Sequence, residues 1–313
     1  MTVTTEKPVH PPRGRLRTGP VVSESPWRTA FRRFIRNPLA LAALAMLVVI
    51  VLFSFVGPYF SPYKDAKISV KDANRPPSAE HWLGTDNLGR DVVLRLMEAG
   101  RISLTVGLFA TLLILALGVT IGLVSGFYGG WTDTLLMRFA DIMFAIPTLP
   151  ILITFGSILS DLKFPTDQRI YLIMLIIGFI SWMGLARLVR SMVLSLKEQE
   201  FMLATEALGL RDRRKLLSHL LPNIVPIIIV SGTLGVAGAI LLESTLSFLG
   251  LGVIPPTPSW GQMLSAANNM IDFQKRPWLW IPPGVMILLT VVSINVLGEA
   301  LRDAFDPKMK LKR

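Results

Sequence analysis

Six long apolar runs separated by polar joints set the pattern of the chain. They cover Leu39–Val56, Ile102–Gly126, Leu135–Leu159, Ile170–Ala186, Ile224–Leu251 and Leu279–Leu297. About 18 consecutive apolar residues in a helix cross the hydrocarbon core of a bilayer. The spacing therefore predicts an all-α membrane protein with six transmembrane helices. The first run lies behind a polar stretch and is too long for a cleaved leader, so it reads as a retained span.

The joint between the fourth and fifth runs, Glu200–Asn223, stands out. Its pattern predicts two short helices around Gly209. Ala204 and Ala207 are small, so the first helix can lie close against another surface. Thr205, Leu208 and Leu210 complete its length. Gly209 can end it in a left-handed conformation. Asp212 is expected to cap the second helix, followed by Arg213, Arg214 and Lys215, with Arg211 just before. Leu216, Leu217, Leu220 and Leu221 form a stripe that can dock under the bundle, and Pro222 opens the fifth span. A solvated loop needs neither the glycine break nor the stripe, so docking to a partner outside the membrane is the favoured reading.

The rest divides around this plan. Residues 1–24, rich in Pro and Arg, read as a disordered tail. Residues 25–37 predict an interfacial amphipathic helix, with Ser25 as cap and Pro26 in its first turn. Trp27, Phe31, Phe34 and Ile35 share one face, and Arg28, Arg32, Arg33 and Arg36 lie elsewhere around it. The first span takes 38–57, and 58–100 form an outer segment of mixed charge. The core, 101–302, contains the joint at 187–223 and an outer loop at 253–278. A basic end, 303–313, closes the chain. Gly118, Gly122 and Gly126, like Ser231, Gly235 and Ala239, follow a small-xxx-small spacing that suits close helix packing within the bundle.

Charge then fixes an orientation. The chain has 51% hydrophobic and 17% charged residues, with net charge +11. With six spans and both ends inside, 21 of the 32 Lys and Arg residues fall on the inner side. That distribution follows the positive-inside rule. It accounts for the net charge without nucleic acid. The absence of cysteine excludes disulfides, thiolate metal sites and cysteine catalysis.

Candidate chemistry is sparse. The chain contains no Gly-x-x-x-x-Gly-Lys-Ser/Thr phosphate loop and no His-Glu-x-x-His zinc motif. No catalytic or metal-ligating residue emerges. Within the spans, Asp141, Glu243, Ser244 and Asn295 are candidates for a pathway or for polar helix packing. Asp141 is expected to pair with Arg138 on the same helix face. Pro147 and Pro150 should kink the third span and leave backbone carbonyls needing partners.

At the Glu200–Asn223 joint the chain resembles the inner-membrane permease subunits of ABC importers. Leu203-Ala204-Thr205, Gly209 and His219-Leu220-Leu221-Pro222 match the family spacing of Glu-Ala-Ala, Gly and Ile-x-Leu-Pro. Leu203, Thr205 and His219 depart from it, and the lost Glu removes a potential salt bridge to an ATPase. Four further segments narrow the resemblance: Leu83–Asp91, Gly126–Trp131, Leu246–Gly252 and Pro255–Gly261. In this order they are similar to the C-type permease of dipeptide/oligopeptide (and nickel) importers, from about Arg36 to Pro307.

The resemblance implies a type I importer in a bacterial or archaeal cell membrane, with both termini cytoplasmic. This chain would form the path with a homologous permease. Two partner ATPases would hold ATP and magnesium, and an extracytoplasmic binding protein would deliver peptide. Ala204–Lys215 would be the coupling region, and the outer segments would meet the binding protein, with Asp86, Arg90, Asp91, Pro258 and Trp260 as candidate contacts. Nickel or another small solute remains an alternative cargo. A self-sufficient channel or secondary transporter would need more intramembrane charge and internal repeats than the chain displays.

Overall fold

The computed structural model describes residues 26–63, 68–162 and 164–306. The expected tail over 1–24, the Ser25 cap and the basic residues beyond Asp306 lie outside them. The helices are α1 (Pro26–Ile35), α2 (Pro38–Phe55), a single turn α3 (Gly57–Phe60), α4 (Val92–Tyr128), α5 (Gly130–Ala145), α6 (Thr148–Asp161), α7 (Thr166–Ser181), α8 (Met183–Lys197), α9 (Glu200–Ala207), α10 (Asp212–Arg214), α11 (Leu221–Phe248), α12 (Trp260–Leu264), α13 (Met270–Lys275) and α14 (Ile281–Phe305). A π-helical turn over Lys215–Leu220 joins α10 to α11. Among the described residues there is no strand, only an isolated bridge between Thr85 and Asp91.

Four stretches are single helices, or nearly so, long and apolar enough to cross a membrane: Pro38–Phe55, Val92–Tyr128, Asp212–Phe248 and Pro277–Phe305. Two more passes are bent pairs, α5 with α6 at 78° and α7 with α8 at 42°. Counting each pair as one span gives six.

The third run is thus a broken span, not one kinked helix. Pro147 carries no N–H and pushes the residue before it out of the α region. Accordingly Ile146 is extended, at φ −82° and ψ 124°. Pro150 falls in the first turn of α6, where a missing N–H costs little. The fourth run bends at Trp182, a buried side chain stacked 6.2 Å from the Phe139 ring. It continues as α8 well past the expected end. The second span begins early. Asp91 caps α4 by accepting from the Leu94 N–H at 2.9 Å, so Val92–Gly100 is helix, not outer loop.

Helix α4 is the centre of the bundle, with α8, α11, α7, α2 and α5 packed around it. Its glycines allow the approach of α8. A Cβ at Gly122 would stand 2.6 Å from the Ala186 carbonyl oxygen, and one at Gly126 2.8 Å from the Val193 Cβ. The small-residue spacing on α4 is therefore used within the subunit. Apolar side chains on the periphery, including Leu135, Ile142, Leu175 and Leu288, are exposed, as suits a lipid solvent.

Both described termini meet at one end of the bundle. The Trp27 ring packs edge-on against Phe305 at 5.3 Å, and Arg33 Nη1 donates to the Asp306 carbonyl at 2.9 Å. At the opposite end, residues 61–91 and 253–280 form a cap over the helix ends. Trp260 is fully buried there, and its Nε1 donates to the Leu96 carbonyl at 3.1 Å.

Candidate functional sites

The terminal end of the bundle carries α9. Met202 and Thr205 face inward and are buried, whereas Leu203, Ala204, Ala207 and Leu208 are exposed. Leu208 is 76% exposed, an unusual place for a leucine at the aqueous end of a helix. After α9 the chain closes in the two-bond pattern of a helix ended by glycine. The Gly209 N–H donates to Glu206 at 2.9 Å and the Leu210 N–H to Thr205 at 3.2 Å. Gly209 has φ +62°, and a Cβ there would meet no described atom within 4 Å. Backbone conformation, not space, asks for glycine.

Asp212 does not cap the next helix. Arg211 occupies that position without a side-chain cap bond, and Asp212 lies in the first turn, 3.8 Å from Lys215 Nζ. Arg211, Asp212, Arg213 and Arg214 are all exposed. The π turn then carries Leu220 into the core formed by Leu123, Val189, Val193 and Met202, with Leu216 and Leu221 beside it. Leu217 is half exposed and falls outside the expected stripe. Pro222 is exposed in the first turn of α11. A single apolar cluster therefore ties α9 to α4, α8 and α11.

Polar ties support the same end. Asp133 on α5 receives Arg190 on α8 in a two-pronged pair, Nε to Oδ1 at 2.5 Å and Nη2 to Oδ2 at 2.6 Å, and a bond from Ser125. Lys197 Nζ donates to the Phe127 carbonyl at 2.7 Å. The expected Arg138–Asp141 pair is absent among the described residues, and both side chains are exposed. Asp133, 57 positions from its partner, takes the arginine instead. A search along one helix face cannot find such a pair.

Glu243, midway between ends in sequence terms, is fully buried in the subunit. Ser103 donates to its Oε2 at 3.0 Å, Ser247 to its Oε1 at 2.7 Å and Ser244 to Oε2 at 3.4 Å. The Trp260 N–H reaches Ser103 Oγ at 3.1 Å, and the Val253 N–H reaches Ser247 Oγ at 2.9 Å. One carboxyl thus joins α4, α11 and the cap. Asn295 is exposed on α14.

The charged residues of the cap turn inward. Asp86, Arg90 and Asp91 are each less than 10% exposed, and Trp260 is 0% exposed. Asp86 accepts from Arg90 Nε at 2.7 Å and from the Leu88 and Arg90 N–H groups. Asp91 caps α4 and also meets His81 Nδ1 at 2.9 Å. These four residues build the cap; the expectation that they present a contact surface is corrected by their burial. Pro258 is half-buried, and the exposed aromatics at this end are Tyr59, Phe60 and Trp82. In the same segment Ser69, hydrogen-bonded at 2.6 Å, holds the Asp72 carboxyl below the usual range against the opposing pull of desolvation, with Arg75 assisting.

The comparisons agree with this geometry. Residues 118–311, which include α9 and most of the spans, match the family described as "Binding-protein-dependent transport system inner membrane component". Residues 25–77 match the "N-terminal TM domain of oligopeptide transport permease C". The dipeptide transport system permease protein of Alkalihalophilus pseudofirmus is 41% identical over 286 residues, 91% of this chain and 91% of its own. The oligopeptide transport system permease protein of Bacillus subtilis is 40% identical over 288 residues, 92% of each chain. The glutathione transport system permease protein of Pectobacterium atrosepticum is 36% identical over 300 residues, 94% of this chain and 97% of its own. A six-pass bundle with an exposed helical platform at one end, matched in this way over nearly its whole length, belongs to the family of inner membrane components of binding-protein-dependent transport systems, with the N-terminal domain of oligopeptide permease C.

Proposed function

We propose that this chain is the permease subunit of an ATP-driven importer of dipeptides or oligopeptides, and that α9 with its glycine turn is where a partner ATPase docks. A homologous permease completes the path. Two ATPase subunits hold ATP and magnesium, so this chain itself is non-catalytic. An extracytoplasmic peptide-binding protein delivers cargo to the cap. Both termini face the cytoplasm, as the placement of 21 of 32 basic residues supports.

The observation that carries the reading is the exposed Leu203–Ala204–Ala207–Leu208 face, held from behind by Met202 and Leu220. A push on α9 reaches α8 and α11 through packed side chains. Closure of the ATPases on ATP then biases the bundle between two arrangements. Peptide cargo rests on the dipeptide and oligopeptide relatives; nickel has less support.

The test is Ala204→Trp in the assembled transporter. A large ring on the docking face should abolish peptide uptake while the chain still inserts and ATPase activity no longer responds to peptide-loaded binding protein. Unchanged uptake would refute the docking assignment.

A further inference from the structure

A cavity of about 150 Å³ lies in the cap, lined by Asp86, Arg90, Arg95, Gln262, Ser265 and Asp272 among others. Exposed Asn87 stands at its rim. Arg95, on the first turn of α4, is only 3% exposed. Its Nη2 donates to Gln262 Oε1 at 3.1 Å, and its Nε lies 3.4 Å from Asp86 Oδ2. Its Nη1 is buried with no hydrogen-bond partner among the described residues. A buried guanidinium edge without an acceptor is costly.

The surrounding charges do not complete it. Asp86 is engaged by Arg90, with both Nε and Nη2 at 2.7 Å. Asp272 is engaged by Arg276 Nη1 at 2.6 Å. Arg90, Arg95 and Arg276 therefore face Asp86 and Asp272, which leaves one positive charge in excess. Gln262 has its carbonyl on Arg95 and keeps its amide donors.

We propose that this cavity binds one carboxylate group. A single negative charge balances the excess, and a planar carboxylate matches the guanidinium edge. A doubly charged phosphate would meet repulsion from Asp86 and Asp272. The volume admits a carboxylate with a short stem and excludes a larger acid. Under the importer reading, on which this assignment of source rests, the group comes from an acidic side chain of the docked binding protein or from a carboxylate of the peptide cargo.

The site itself is tested on the full chain in lipid nanodiscs. Thermal unfolding is followed with acetate and, at equal ionic strength, with its neutral isostere acetamide. At about ten times its Kd, acetate should raise the midpoint by roughly 2–4 °C, acetamide should not, and Arg95→Gln should remove the response. Gln262→Glu supplies a carboxylate beside Arg95, so it should raise the midpoint without acetate and abolish the response to it. Equal effects of acetate and acetamide, or an acetate response that survives in Gln262→Glu, overturn the site.

The source is read in the assembled transporter. A cargo carboxylate predicts that Arg95→Gln raises the KM about tenfold for a free-acid peptide and not for its C-terminal amide. A docked side chain predicts about tenfold weaker binding-protein association whichever peptide is loaded. If neither changes, acetate is an adventitious ligand and the proposal fails. The nanodisc measurement needs only this chain, so its failure is distinct from failure of the importer reading.

Discussion

Glu243 is the residue on which most of the internal polar order depends. Three serine hydroxyls donate to it, and two of those serines accept in turn from the cap backbone. Glu243→Leu removes the shared acceptor and leaves buried hydroxyls without one. The expected loss is about 2–4 kcal/mol, with most of it recovered in Glu243→Gln, whose amide oxygen still accepts. Unfolding midpoints in detergent compare the two; equal stability of Glu243→Leu and wild type would contradict the hub. Gly209 makes a different demand. Gly209→Asn should transport nearly as well as wild type, because Asn tolerates the left-handed region. Gly209→Val should lose transport, since a β-branched residue resists φ +62° by about 1–2 kcal/mol or more. Comparable uptake by both variants would remove the turn from the account. Some of this was legible in the chain: a carboxylate in an apolar run must be enclosed, and a glycine between two polar helices must turn. The partners of Glu243 were not, because Ser103 lies 140 positions away. Asp86, Arg90 and Asp91 misled for a related reason. Charge in a loop suggests surface, but here an i,i+4 pair and a helix cap satisfy those groups locally and let them be buried.

Elements were set by run length, and breaks within them by side-chain detail. Six apolar runs sufficed for six passes because lipid thickness imposes a minimum length. Pro147 announced the break in the third span, though not its 78° size. Nothing in the apolar pattern marked the bend at Trp182. The early start of α4 was hidden because Arg95, Glu98 and Arg101 interrupt its first turns; Arg95 is buried against the cap, and Arg101 donates to the Ser54 and Phe55 carbonyls at 3.0 and 2.7 Å. The α4–α8 contact gives a paired prediction. Gly122→Val forces a Cβ into the Ala186 carbonyl, 2.6 Å away, and should cost about 1–3 kcal/mol. Gly238→Ala, where a Cβ meets no described atom within 4 Å, should be neutral or stabilising by up to about 1 kcal/mol. Thermal unfolding of the two variants measures the difference, and a stable Gly122→Val would show that α8 does not rely on this approach.

At the scale of the molecule, one end is built to be pushed and the other to receive. The terminal end gathers the exposed α9 face and the exposed Arg211–Arg214 run on a cluster shared with α4, α8 and α11. The opposite end is a cap whose charges are turned inward around Arg95 and Glu243. That division makes sense only if other chains cover both ends. Native mass spectrometry of the complex released gently from its own membrane tests this most directly. The account predicts this chain with one similar permease and two ATPase subunits. Recovery of the chain alone, or only with copies of itself, under conditions that keep other membrane assemblies intact would contradict it.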